Sequence, residues 1–163
     1  MNNRGRHIFY RTAKDSYTLG FVDKDISLAL GQAGNPLRFN ATEAIIVTYN
    51  DIPRYGSTSN RFKYQVVIAT DYTNTFTILN YDRLDINGND NVGYSDTGQC
   101  RVTKRFTSSS NKRTLTITSN VGRPGKHIHL LSRKTTDDCI NKGGMFYVMV
   151  IILLGAPQSC LCL

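Results

Sequence analysis

The stretch "FNATEAIIVTYNDIPRYG", Phe39 to Gly56, decides the fold. Its centre, "TEAIIVTYN", is a run of β-branched and aromatic residues, the side chains that suit a pleated, half-buried surface, and it ends in a turn carrying Pro and Gly. A second run, "KYQVVIATD", follows the turn-rich "DIPRYGSTSN"; a third, "TFTILNYD", follows a break at Asp71-Tyr72-Thr73-Asn74. Apolar runs of strand length separated by short turns predict successive antiparallel strands over residues 41–50, 62–70 and 74–81.

Toward the N-terminus, "HIFYR" has a short strand pattern. "YTLGFVDKDISLALGQAGNP" places Phe21, Val22, Ile26, Ala29 and Leu30 at helical spacing and closes at Gly31 and Gly34-Asn35-Pro36, which predicts one short helix near residues 18–30. Toward the C-terminus, the Gly/Asn/Asp-rich "DINGNDNVGYSDTGQC" reads as loop. Beyond it, "RVTKRF" and "RTLTITS" flank the polar tip Thr107 to Lys112 in a hairpin pattern; alternation turns Val102, Phe106, Leu115 and Ile117 inward and Arg101 and Arg105 outward. A chain of 163 residues with 40% apolar side chains has enough core for one domain and is not a disordered segment. The expected fold class is mainly β: an antiparallel β-sandwich-like domain with that single helix.

The net charge of +8 is unevenly placed. Residues 1–100 hold ten Lys/Arg and ten Asp/Glu, whereas residues 101–142 hold ten Lys/Arg and only Asp137 and Asp138. A one-sided basic surface attracts polyanions. Arg101, Lys104, Arg105, Lys112 and Arg113 are therefore candidate polyanion-binding residues, set against the plainer reading of a solvated face.

Chemistry-bearing constellations are scarce. Asp85-Ile86-Asn87-Gly88-Asn89 has the alternating oxygen ligands of a calcium loop, but Asp90 stands at the position that needs Gly and Asp96 at the position of the bidentate Glu, so a polar turn is expected. No serine lies in a G-x-S-x-G elbow, and Cys100, Cys139, Cys160 and Cys162 form neither a C-x-x-C pair nor a recognisable nucleophile context. His127 and His129 share one face of a predicted strand, yet His7 is the only other histidine, so structural histidines are expected rather than a metal site. Neither an enzyme nor a cofactor is expected. Asn40-Ala41-Thr42 is an N-glycosylation triplet, which makes Asn40 a candidate modification site if the chain is secreted.

The same quoted runs resemble the NIDO domain, an extracellular module of nidogen, alpha-tectorin and certain mucins. That family's pattern has an aromatic-led strand ending in "VTW", an acidic "V-P-x-Y-G" turn, then "FQ-x-V-L-x-T-D" and a strand closing in "N-Y". Phe39, Val47 to Tyr49, Asp51 to Pro53, Tyr55, Gly56, Gln65, Thr70, Asp71, Phe76, Asn80 and Tyr81 match it, and "TSNVGRPGKHIHLL" resembles its closing strand. The likeness covers about residues 5–133. Tyr49 stands where the family usually has Trp, the Trp expected near Asp85 is missing, and His127 and His129 occupy packing positions of the closing strand. The resemblance implies a noncatalytic module at residues 1–134, N-terminally incomplete, secreted or part of a cell-surface ectodomain, and engaged in cell-matrix adhesion. Its expected partners are matrix or cell-surface proteins; the alternative is a sulfated glycosaminoglycan held by residues 101–134, with nucleic acid not expected. A membrane-anchored parent protein is compatible with this reading.

Residues 135–163 form a separate tail. "DDCINKGG" resembles the opening of an EGF-like module, but the following "MFYVMVIILL" is ten residues long, about 15 Å as a helix against a hydrocarbon core of about 30 Å, too short for a convincing membrane span. Two expectations stand for residues 143–163: a cover for an apolar face, or the end of a truncated gene model.

Overall fold

The three runs become the inner strands of a five-stranded antiparallel sheet in the computed structural model, which describes residues 7–53, 59–85, 92–95, 104–105, 112–133 and 149–152. The chain order is β1 (His7–Ala13), α1 (Ser16–Gln32), β2 (Glu43–Pro53), β3 (Arg61–Thr70), β4 (Asn74–Leu84), β5 (Val92–Ser95), β6 (Lys104–Arg105), a 3-10 turn (Lys112–Thr116), β7 (Lys126–Arg133) and β8 (Met149–Ile152). The main sheet runs β1-β2-β3-β4-β7, and a three-stranded sheet runs β6-β5-β8. The protein is thus mainly β with one helix, consistent with a β-sandwich-like domain.

Helix α1 begins two residues before the expected start because Asp15 caps it, its carboxylate accepting from the Thr18 amide at 2.8 Å. It ends in a Schellman turn: Asn35 N–H donates to the Leu30 carbonyl at 2.9 Å, Gly34 N–H donates to Gly31 at 3.1 Å, and Gly34 takes φ 60. Leu19, Val22, Ile26 and Leu30 form its buried stripe, spaced by three or four residues. Phe21, one position off that stripe, is exposed.

The sheet carries a different core on each face. On the α1 side, Leu19, Val22, Ile26 and Leu30 pack with Ala44, Ile46, Val67, Ala69, Phe76, Ile78 and Ile128. On the other side, Phe62, Tyr64, Val66, Leu79, Tyr81 and Leu84 gather with Leu115 from the 3-10 turn. Neighbouring residues Val66 and Val67 belong to opposite cores, as strand alternation requires.

The bend in the quoted stretch has a structural cause. Between the pairs Tyr49↔Tyr64 and Ile52↔Phe62, two residues of β2 oppose one of β3, and Asp51 takes φ 56 at this bulge. The Arg61 guanidinium holds it, with Nε donating to Asp51 Oδ1 at 2.9 Å and Nη2 to Oδ2. This forked bond, together with the nearby positive charge, holds the Asp51 carboxyl below its ordinary pKa.

Two sequence expectations need correction. The stretch 85–100 is not all loop, since Val92–Ser95 pairs with β6 on one side and β8 on the other. This strand is only four residues long and contains Gly93, so local composition hides it. Nor is "RTLTITS" a hairpin strand: Lys112–Thr116 is a 3-10 turn. Thr116 Oγ1 donates to the Arg113 carbonyl at 2.7 Å and Thr118 Oγ1 to the Thr114 carbonyl at 2.8 Å, so threonine hydroxyls satisfy backbone groups that a ladder would otherwise use. Leu115 is buried as expected, but Ile117 is 72% exposed, because a 3-10 turn does not keep residues two apart on one face.

The "TSNVGRPG" segment caps the start of β7's outer edge, at Lys126 and Ile128. Asn120 mimics a strand, its Nδ2 donating to the Ile128 carbonyl at 2.7 Å and its Oδ1 accepting from the Ile128 amide at 2.9 Å, while Ser119 Oγ donates to the Lys126 carbonyl at 2.7 Å. At the opposite edge, no strand among the described residues pairs the outer side of β1.

Candidate functional site

Strand register sorts the α1 side of the sheet into cross-strand rows. One row is Ala44, Ala69 and Phe76; the next is Arg11, Ile46, Val67, Ile78 and Ile128; the third is Phe9, Thr48, Gln65, Asn80 and Lys126. Two residues along each inner strand, therefore, the face changes from aliphatic to hydrogen-bonding. The core ends at that step.

A groove of about 410 Å³ opens there, between the N-terminal half of α1 and the sheet. Ile46, Val67 and Ile78 line it together with Thr48, Gln65 and Asn80, and the helix contributes Tyr17, Thr18, Phe21, Val22 and Asp25. The polar side chains form a directional ladder: Asn80 Nδ2 donates to Gln65 Oε1 at 3.3 Å, and Gln65 Nε2 donates to Thr48 Oγ1 at 2.9 Å. Each amide nitrogen has a second hydrogen, Asn80 keeps its carbonyl oxygen, and Thr48 keeps its hydroxyl hydrogen. The strip thus presents both donors and acceptors.

Its charges are largely matched. Asp25 accepts from Lys126 and lies 3.3 Å from Arg123, both carried by the segment that closes the sheet. Arg11 sends its guanidinium toward Thr18 Oγ1 at 3.4 Å. On the rim, Tyr17 and Phe21, one helical turn apart, meet edge to face with ring centroids 5.0 Å apart, and are 77% and 58% exposed.

The opposite face holds an aromatic row. Tyr49 stacks on Tyr64 at 4.4 Å, Tyr64 lies 6.3 Å from Tyr81, and Tyr81 meets the His127 ring edge to face at 5.7 Å. His127 Nε2 is 3.2 Å from the Leu115 carbonyl, and burial pushes its pKa below the ordinary value of 6.5. Burial likewise pushes the Tyr64 and Tyr81 hydroxyls well above their ordinary range. A neutral histidine thus completes an aromatic row. Among the described residues no cluster of His, Cys, Asp and Glu is arranged for a metal ion.

The sequence candidates fall elsewhere. Asn40 is exposed, in the loop before β2, next to Ala41 whose amide donates to Asp23 Oδ1 at 2.6 Å. Lys104 and Arg105 form β6 of the small sheet, and Lys112 opens the 3-10 turn. Arg113 lies 3.8 Å from Asp85 at the end of β4, a carboxylate that also accepts from Arg83 Nε at 2.7 Å and from the Arg61 amide at 3.2 Å. Arg101, residues 86–91 of the calcium-loop pattern, the four cysteines and most of the tail lie outside the described residues. Of the tail, Met149–Ile152 pairs with β5. No helix among the described residues is long and apolar enough to cross a membrane. Sequence reading did not find the groove, because Thr48, Gln65 and Asn80 are 17 and 15 residues apart and only the register aligns them.

A family model, described as the nidogen-like domain, matches residues 1–133. No curated protein and no solved structure matches the chain.

Proposed function

This chain belongs to the nidogen-like (NIDO) domain family, and from that premise we propose that it is a noncatalytic extracellular module of cell-matrix adhesion. Nidogen-like domains are extracellular matrix-type modules. One observation carries the adhesive reading: among the described residues, three of the exposed large hydrophobics, Phe9 on β1 and Tyr17 and Phe21 on the first half of α1, line one groove on the same side of the sheet, while Ile8 and Tyr10 project from the other face of β1. Single exposed apolar residues are ordinary, but a cluster rich in aromatics has the composition of a contact surface. The expected partner is a matrix or cell-surface component. Secretion would place Asn40, exposed and outside the helix and strands, within reach of glycosylation.

The test is attachment of cells to a surface coated with the secreted chain. Attachment should persist at raised salt and fall with the triple variant Phe9→Ser, Tyr17→Ser, Phe21→Ser, whose melting curve should match that of the unaltered chain. A folded triple variant that holds cells equally well overturns the reading. The competing polyanion reading draws on the charge excess at residues 101–142. Attachment lost at raised salt, with heparin retention abolished by Arg105→Glu and Lys112→Glu, would favour it instead.

A further inference from the structure

We propose that the groove between α1 and the polar row of the sheet binds an uncharged pyranose ring of a glycan, packed against the exposed rings of Tyr17 and Phe21 and hydrogen-bonded to Thr48, Gln65 and Asn80. The inference rests on the adhesive reading of this surface and names the chemistry that it takes.

The hydrogen-bonding strip selects the ligand class. The spare valences of Thr48, Gln65 and Asn80 mix donors and acceptors, left over from the ladder they form with each other. A sugar hydroxyl both donates and accepts, so it can meet either kind. A phosphate or sulfate accepts only and would leave the Asn80 carbonyl opposed; an ammonium group donates only and would oppose the amide hydrogens. The charges agree: the lining offers Arg11 on one side and Asp25 on the other, and Asp25 is engaged by Lys126 and Arg123. Such a balance gives a polyanion no net attraction.

The walls select the shape. A pyranose has an apolar face of C–H groups and a polar edge of hydroxyls. Here two exposed rings rim a floor that carries amides and a hydroxyl beside Ile46, Val67 and Ile78, so both halves of the ligand find a counterpart. A wholly apolar ligand would strip water from the polar row and leave it unpaired. An extended peptide would lack main-chain partners, because the floor is a sheet face whose backbone groups are already spent on the ladders between β2, β3 and β4. A volume of about 410 Å³ accommodates one ring and part of a second.

The experiment uses the full chain, labelled for NMR, with the side-chain amide signals of Gln65 and Asn80 as reporters. The probes are the methyl pyranosides of glucose, galactose, mannose and N-acetylglucosamine, with a sulfated heparin disaccharide as the charged comparison. At least one uncharged pyranoside should shift both amide signals saturably, with a dissociation constant on the order of millimolar. Phe21→Ala and Tyr17→Ala should each weaken that binding about tenfold while leaving the remaining spectrum in place. The proposal is overturned if none of the uncharged sugars moves these signals, if the shifts persist in the double variant, or if the sulfated disaccharide is preferred. A chain that holds cells yet ignores every sugar loses this inference and keeps the adhesive reading; one that binds sugar yet holds no cells keeps the ligand class and loses its adhesive use.

Discussion

The two faces of the main sheet are made by the same strands, yet they end differently. On the α1 face, the aliphatic row Ile46, Val67 and Ile78 gives way to Thr48, Gln65 and Asn80, and there the groove opens between the helix and the sheet. On the other face, Tyr49, Tyr64, Tyr81 and His127 continue as a packed row past that same level. Stability is therefore concentrated behind the sheet at the level where recognition is displayed in front of it. A single residue step along β3, from Tyr64 to Gln65, crosses from one role to the other.

The sharpest way to break the packed face is at Gly125. It takes φ 78, and a Cβ there would sit well inside contact distance of the Tyr81 carbonyl oxygen and 3.2 Å from that of Thr116. Gly125 also receives the Tyr81 amide through its carbonyl at 2.7 Å, so β4 cannot withdraw without losing that bond. Gly125→Val combines backbone strain with a clash and should cost more than about 4 kcal/mol, enough to unfold a domain of ordinary stability. Denaturant titration of Gly125→Val giving a midpoint equal to the unaltered chain would show that the approach to β4 is looser than described.

Next in size is Tyr64→Ala, which removes the centre of the aromatic row. A buried aromatic truncated to alanine should cost about 3 to 5 kcal/mol, read as a lower denaturation midpoint with the slope unchanged. If the loss is under about 1 kcal/mol, the row is not the stabilising element of its face.

A smaller effect comes from pH. Burial lowers the His127 pKa in the folded chain below the 6.5 of the unfolded one, so the unfolded chain binds the proton more readily. The stability contributed by neutral His127 is complete above pH 6.5 and is lost as the pH falls from there through the folded pKa. The melting temperature should step down over that window, and the step should shrink in His127→Phe, which keeps an aromatic ring beside Tyr81. An unaltered step in that variant would assign it to other groups.

The smallest effect tests the displayed face. Gln65→Ala should change stability by less than about 1 kcal/mol, since its partners Thr48 and Asn80 remain partly solvated. A larger loss would make the polar row a structural girder rather than a recognition strip.

What was legible in the sequence follows the same division. The inner strands were readable because each is a β-branched and aromatic run closed by local turn chemistry, and the helix because its buried stripe repeats at three and four residues. Local pattern failed where meaning depends on distant partners. The alternation of "RTLTITS" suits a strand, but its threonines close a 3-10 turn. Val92–Ser95 is a strand only by virtue of β6 and β8. The exposure of Phe21 beside the buried Val22, and the alignment of Thr48, Gln65 and Asn80, are properties of the assembled sheet and helix rather than of any window of sequence.

The cap that Ser119 and Asn120 place on β7 bears on how the sheet edge meets another chain. A sheet with two bare edges is a monomer unit for a fibre, since each copy added exposes a new place for the next. Here part of one edge is occupied from within the chain by an asparagine that takes the place of a neighbouring strand at Ile128. A strand adding beside Lys126 and Ile128 would first have to displace the Ser119 and Asn120 side chains, whereas among the described residues no strand pairs the outer side of β1.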